Sequence, residues 1–172
     1  MAQPNEERSN VRDAGVEDLD QVSLLIRDAY QEYQANFSPE VWERYSREIM
    51  DVRSRLDTSE LIVAENSGRL VGAVTFYRNT SPSDQGGWPA GWTGIRLLAV
   101  HPDARGMGIG RALMDECLRR SRLLSATALG LHTTELMGIA RGMYERMGFV
   151  QVPEYDFQAG PEVLVLGYRL DL

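Results

Sequence analysis

The chain has 172 residues, 43% of them hydrophobic and 25% charged, which suits one globular domain with a core of its own. Eighteen Lys and Arg stand against 25 Asp and Glu, and the resulting formal charge of −7 argues against nucleic-acid phosphates as the main partner. The single cysteine, Cys117, cannot close an internal disulfide, no CxxC or His-rich spacing suggests a metal, and no apolar run is long enough for a bilayer; a cytoplasmic protein is expected, with no metal and no membrane partner.

The start, MAQPNEERSN, is polar and acidic and reads as a disordered tail over residues 1–9, leaving 10–172 as a single domain. NVRDAG reads as a first strand, after which Asp18 is placed to cap a helix carrying Leu19, Val22, Leu25, Ile26 and Ala29 on one face. Ser38-Pro39-Glu40 is a helix-start signal, and EVWERYSREIMDVRSRL follows as a second helix. Leu61 to Ala64 and Leu70 to Tyr77 are two β runs around a turn containing Asn66, Ser67 and Gly68, a hairpin.

NTSPSDQGGWPAGW breaks all periodicity through Pro82, Gly86, Gly87, Pro89 and Gly91, and carries Trp88 and Trp92. Either the two rings form a substrate-facing lip or they cover the end of the sheet. A β run from Ile95 to Val100 follows, then a glycine-rich loop and a helix in which Ile109, Leu113 and Cys117 recur every four residues, so Cys117 reads as core rather than nucleophile. TALGLHT suggests another strand, MGIARGMYERMGF a helix ended by Gly148, and Phe149 begins a further strand. PEYDFQAGPE reads as loop, and VLVLGYRL as the last strand. The order β-α-α-β-β-β-α-β-α-β-β predicts a mixed α/β (α+β) fold, a mostly antiparallel sheet of about seven strands flanked by about four helices.

The stretch LLAVHPDARGMGIGRALMDECLRR places Gly106, Gly108 and Gly110 ahead of a strongly helical run. Glycines let a ligand approach the backbone and allow positive φ, while the first N–H groups of a helix and its dipole favour an anion, so the loop reads as a phosphate site. A P-loop is excluded, because Gly110 is followed by Arg111 and Ala112 instead of Lys and Ser or Thr. A Rossmann fingerprint is excluded too, since its third glycine would fall at Arg111 or Leu113.

What remains, RGMGIG, resembles the Q/R-x-x-G-x-G/A acyl-CoA motif of the GNAT superfamily of N-acetyltransferases, with Arg105, Gly106, Gly108 and Gly110 matching. IARGMYERMGF resembles the family's second hallmark through Ala140, Tyr144, Gly148 and Phe149. The resemblance implies that acetyl-CoA is the donor cosubstrate, and that a small-molecule or peptide primary amine is the acceptor. It implies that the pyrophosphate lies on the main chain of Arg105, Gly106, Met107, Gly108, Ile109, Gly110 and Arg111, with charge from Arg105 and Arg111. Pantetheine would then pair along Leu98, Ala99 and Val100, and Tyr144 would protonate the leaving thiolate. A homodimer is left open.

The chain also departs from the family pattern. Where relatives often carry a glutamate base, this sequence has Gly94, which neither Thr93 nor Arg96 easily replaces; Glu135, an ordered water near strand carbonyls, or no dedicated base at all are the alternatives. Met137 stands where an asparagine is common, His101 reads as a turn residue, and His132 is the better histidine candidate for a base. A silent acetyl-CoA sensor is the alternative to an enzyme.

Overall fold

The computed structural model describes residues 9–81, 86–161 and 163–172. Apart from Ser9, the tail expected over residues 1–9 lies outside the described residues, as does Pro82. Twelve regular elements are described: β1 (Asn10–Asp13), α1 (Leu19–Tyr30), α2 (Pro39–Met50), β2 (Glu60–Asn66), β3 (Arg69–Tyr77), β4 (Trp92–Val100), α3 (Ile109–Leu123), β5 (Ala128–Thr134), α4 (Gly138–Arg146), β6 (Val150–Gln151), β7 (Phe157–Gln158) and β8 (Leu164–Asp171). The strands form one eight-stranded sheet in the order β1-β2-β3-β4-β5-β8-β6, with β7 also on β8. β4 and β5 are parallel, joined through α3, whereas β1–β2, β5–β8, β6–β8 and β7–β8 are antiparallel.

The mixed fold agrees with the reading from sequence, with one strand more. The additional strand is β7, inside the segment read as loop. It pairs Phe157 with Val165 and Gln158 with Leu164, and it is too short for any periodicity to announce it. β4 begins at Trp92 instead of Ile95, because its ladder with β5 opens at Trp92 and Ala128.

α1 buries Leu19, Val22, Leu25, Ile26 and Ala29, the face its spacing predicts, and adds Tyr30. Asp18, expected as its cap, makes no side-chain capping bond to the helix. Its Oδ2 instead accepts the Gly15 N–H at 2.7 Å and an Arg12 guanidinium N–H at 2.6 Å. A carboxylate only 7% exposed gains more from a charged donor than from a helix amide, and Arg12 holds its pKa below the ordinary value.

Ser38 does cap α2, accepting from the Val41 N–H at 3.4 Å with Pro39 in the first turn. The helix stops at Met50, short of the predicted Leu56, where Arg55 folds back to donate to the Glu48 and Ile49 carbonyls at 3.0 Å each. In the β2–β3 hairpin Ser67 (φ 51°) and Gly68 (φ 76°) are successive left-handed residues, the geometry of a type I′ turn.

The described residues divide into two compact units. The first comprises the chain up to Asp57 with Leu61–Val74 and Leu97–Met114, and its buried side chains include Ile26, Ile49, Ile62, Val63, Val74, Leu113 and Met114. The second comprises Thr58–Glu60, Thr75–Arg96 and Asp115–Leu172, with Phe76, Trp88, Cys117, Leu129, Leu131, Phe149 and Tyr168 among its buried side chains.

Candidate active site

The glycine loop is held by packing in the first unit. A Cβ at Gly72 of β3 would stand 2.6 Å from Ile109 Cγ2 and 2.9 Å from Leu113 Cδ1, so the start of α3 rests directly on strand backbone. The end of β4 is tied to the same strand, where the His101 N–H donates to the Val71 carbonyl at 2.8 Å. Pro102–Ala104 makes one 3-10 turn, inside which His101 Nδ1 accepts the Asp103 N–H at 3.2 Å, and Ala104 is buried. His101 is thus a turn residue.

The first bond of α3 runs from the Ala112 N–H to the Gly108 carbonyl at 2.9 Å. Gly106 (φ 78°) and Gly108 (φ 77°) precede it, both in the left-handed region, with no atom within 4 Å of where a Cβ would stand. Their requirement is therefore conformational: only glycine takes this backbone cheaply, and the space beside it is open. Gly110 differs, being the second residue of α3. The donors at positions 109–111 belong to the first helical turn, whose N–H groups have no intrahelical acceptor.

Arg105 sends its Nη2 to the Ala29 carbonyl at 3.0 Å and to Glu32 Oε1 at 2.7 Å. Its charge is thereby directed at the end of α1. Met107 is 56% exposed, whereas Ile109 is buried as the anchor on Gly72. On β4, Leu97 has φ 55°, a conformation costing roughly 1–3 kcal/mol for a residue with a Cβ. The next carbonyl, Leu98, accepts the Tyr30 hydroxyl at 3.3 Å; Ala99 is buried, and Leu98 and Val100 are half-buried.

In the second unit, Tyr144 is buried on α4 one turn after Ala140, with its ring 5.8 Å from that of Phe149. Gly148 ends the segment with φ 95°, and the Phe149 N–H returns to the Tyr144 carbonyl at 3.0 Å. Cys117 is fully buried, which pushes its thiol pKa well up, and it is core. Met137 precedes α4 without a side-chain cap bond, and Glu135 is exposed.

Gly94 and Gly130 are register partners on β4 and β5, and Trp88 covers both. A Cβ at Gly130 would stand 2.7 Å from the indole, and one at Gly94 3.4 Å. Trp88, 3% exposed, covers the sheet, whereas Trp92 is half-buried. The Trp88 ring stacks on Trp92 at 5.6 Å and on His132 at 4.4 Å. His132 Nε2 lies 3.0 Å from the Tyr155 carbonyl, and burial lowers the ring's pKa.

A profile of the Acetyltransferase (GNAT) family matches residues 26–149, which include the glycine loop, β4 and α4. The chain belongs to this family. Among curated relatives, the mycothiol acetyltransferase of Propionibacterium freudenreichii subsp. shermanii is 35% identical over 105 residues, 58% of this chain and 32% of that protein. The chain spans about a third of the length of the curated relatives it matches. Among solved structures, the PaiA N-acetyltransferase of Thermoplasma acidophilum in complex with coenzyme A superposes with a TM-score of 0.75 at 16% identity, covering 96% of this chain and 99% of that one. A GNAT acetyltransferase of Brucella melitensis in complex with acetyl-CoA gives 0.63 at 21%, covering 96% and 92%. These likenesses bear on the fold of the GNAT chain.

Within this GNAT framework, sequence reading singled out the loop and Tyr144 but did not anticipate the contacts of Gly72 and Tyr30 or the seat of Trp88. A lone glycine inside the strand pattern LVGAV was the available signal for Gly72, since such a glycine marks close approach of another element. Nothing in sequence announced that Trp88 would lie over Gly94, because that contact joins a loop to two strands.

Proposed function

We propose that this GNAT-family chain moves an acetyl group from acetyl-CoA directly to a primary amine of a small molecule or peptide, in the cytoplasm, with residues 10–172 as the catalytic domain. One observation carries the reading: the left-handed Gly106 and Gly108, open on the side a Cβ would fill, ahead of the first turn of α3. Such a cradle suits a diphosphate, since several N–H donors converge on it while the helix dipole adds only about 0.3–1 kcal/mol. The coenzyme A complex of the PaiA relative supports the same donor here. Among the described residues no His, Cys, Asp and Glu cluster suits a metal, and the reaction proposed needs none.

In this reading the main-chain N–H groups of Gly106, Met107, Gly108, Ile109, Gly110 and Arg111 bind the pyrophosphate, whereas that of Arg105, expected among them, is given to the Pro102 carbonyl at 3.3 Å, where it closes the 3-10 turn. Leu98, Ala99 and Val100 offer strand backbone to the pantetheine amides, and Tyr144 gives its hydroxyl proton to the departing sulfur. General-acid help of that kind is worth about 10²–10⁴-fold.

Calorimetry with acetyl-CoA tests the donor site. Wild-type protein is expected to bind and the Gly108→Val variant to lose binding while its circular dichroism is unchanged; equal affinity of the two refutes the assignment. A thiol-release screen over primary amines then separates an enzyme from a silent binder.

A further inference from the structure

Resting on that transfer reaction and deepening it, we propose that His132 is the catalytic base that removes the proton from the acceptor ammonium, through its Nδ1. The parallel ladder between β4 and β5 ends at Ile95 and Leu131, and His132 is the next residue of β5. It is half-buried, in contrast to the exposed Glu135 three residues on.

The tautomer follows from the partner. Nε2 is 3.0 Å from the Tyr155 carbonyl oxygen, which can only accept, so Nε2 carries the hydrogen and Nδ1 keeps the lone pair. The ring is held on two sides, stacked on Trp88 at 4.4 Å and met edge-on by Phe157 at 5.2 Å. A base held this way loses little orientation when substrate arrives.

Trp88 also explains why the base is not at Gly94. The indole occupies the face of Gly94 and Gly130, so a glutamate at position 94 would have to displace it; the same indole supplies the platform for His132. Thr134 stands on the same face of β5, two residues along, and its buried Oγ1 has no hydrogen-bond partner among the described residues. Around the imidazole, Arg96 on β4 disfavours protonation and Asp156, beside Tyr155, favours it. The bond to the Tyr155 carbonyl favours protonation as well, but burial outweighs it and Asp156 and holds the ring's pKa below its ordinary 6.5, so the neutral form predominates at pH 7.

The proton count closes. His132 Nδ1 takes one proton from R–NH3+, and the resulting amine attacks the thioester carbonyl, forming the N–C bond. The C–S bond breaks as Tyr144 protonates sulfur, Tyr144 recovers its proton from the amide nitrogen, and His132 releases its own to solvent. The products are amide, free thiol and one proton.

The test uses His132→Gln, whose amide can still donate to the Tyr155 carbonyl but cannot act as a base. With acetyl-CoA and putrescine, phenethylamine or an alanyl peptide as acceptors, kcat/KM is expected to fall about 10²–10⁴-fold and to lose its acidic limb. Acetyl-CoA affinity should be unchanged. Long-range 15N NMR of the wild-type ring should show the neutral form with hydrogen on Nε2 at pH 7. A hydrogen on Nδ1, an imidazolium at pH 7, or a variant with wild-type rate and pH limb overturns the proposal while leaving acetyl transfer standing. Failure of wild-type protein to acetylate any of the three amines overturns the transfer reaction, and this proposal with it.

Discussion

Arg105 Nη2 stands 2.7 Å from Glu32 Oε1 and 3.0 Å from the Ala29 carbonyl, tying the glycine loop to the last turn of α1 and the residues after it. Both side chains are more than a third exposed, so the ion pair itself contributes only about 0.2–1 kcal/mol. Glu32→Gln is accordingly expected to lower stability by less than about 1 kcal/mol in urea denaturation. Arg105→Ala, which also abandons the Ala29 carbonyl, should cost more, by about 0.5–1.5 kcal/mol.

The two glycines under Trp88 should respond differently to alanine. At Gly130 the new methyl would meet the indole at 2.7 Å, and shifting a packed ring costs about 1–3 kcal/mol. At Gly94 the nearest indole atom is 3.4 Å away, and the loss should stay below about 1 kcal/mol because alanine also restricts the unfolded chain. Urea midpoints and tryptophan fluorescence check both; equal losses would mean the indole does not sit where described.

A buried hydroxyl relay joins β4 to α3. Ser121 Oγ lies 2.8 Å from the Cys117 carbonyl and 2.7 Å from Thr93 Oγ1, which is itself 3.4 Å from the Ala128 carbonyl; the Cys117 contact is the shorter of the two to a carbonyl, so it takes the Ser121 hydrogen and Thr93 donates to Ser121. Thr93→Val keeps the shape and removes that donor, leaving a fully buried hydroxyl one partner short. A loss of about 1–3 kcal/mol is expected, read from the urea midpoint.

Stability should fall in acid through Glu116. Arg119 first, and then Arg120, hold its carboxyl at about 2, below the ordinary value of 4.5. A depressed carboxyl stabilises the fold fully above its unfolded pKa and loses that contribution as pH drops from about 4.5 towards 2. Glu116→Gln should therefore flatten the dependence of the urea midpoint on pH between 5 and 2.5 without changing its direction, since Asp18 is also held low by Arg12.

Local chemistry alone determined a good deal. The spacing of Leu19, Val22, Leu25, Ile26 and Ala29 gave α1 its face, Ser38-Pro39 gave α2 its start, and Ser67-Gly68 gave the hairpin its turn. The glycine loop was legible as well, since the left-handed backbone at Gly106 and Gly108 leaves its mark as residue type. Sequence did not reveal contacts between positions far apart along the chain: Asp18 turning from its helix to Arg12, Arg105 turning to Glu32, Tyr30 reaching the Leu98 carbonyl. Such partners are chosen when burial forces a charged or polar group to find the strongest donor or acceptor within reach, and reach is set by the packed chain. Trp88 shows the difference: its neighbours in sequence mark only a break in periodicity, whereas the fold places its ring over Gly94 and Gly130 and beside His132.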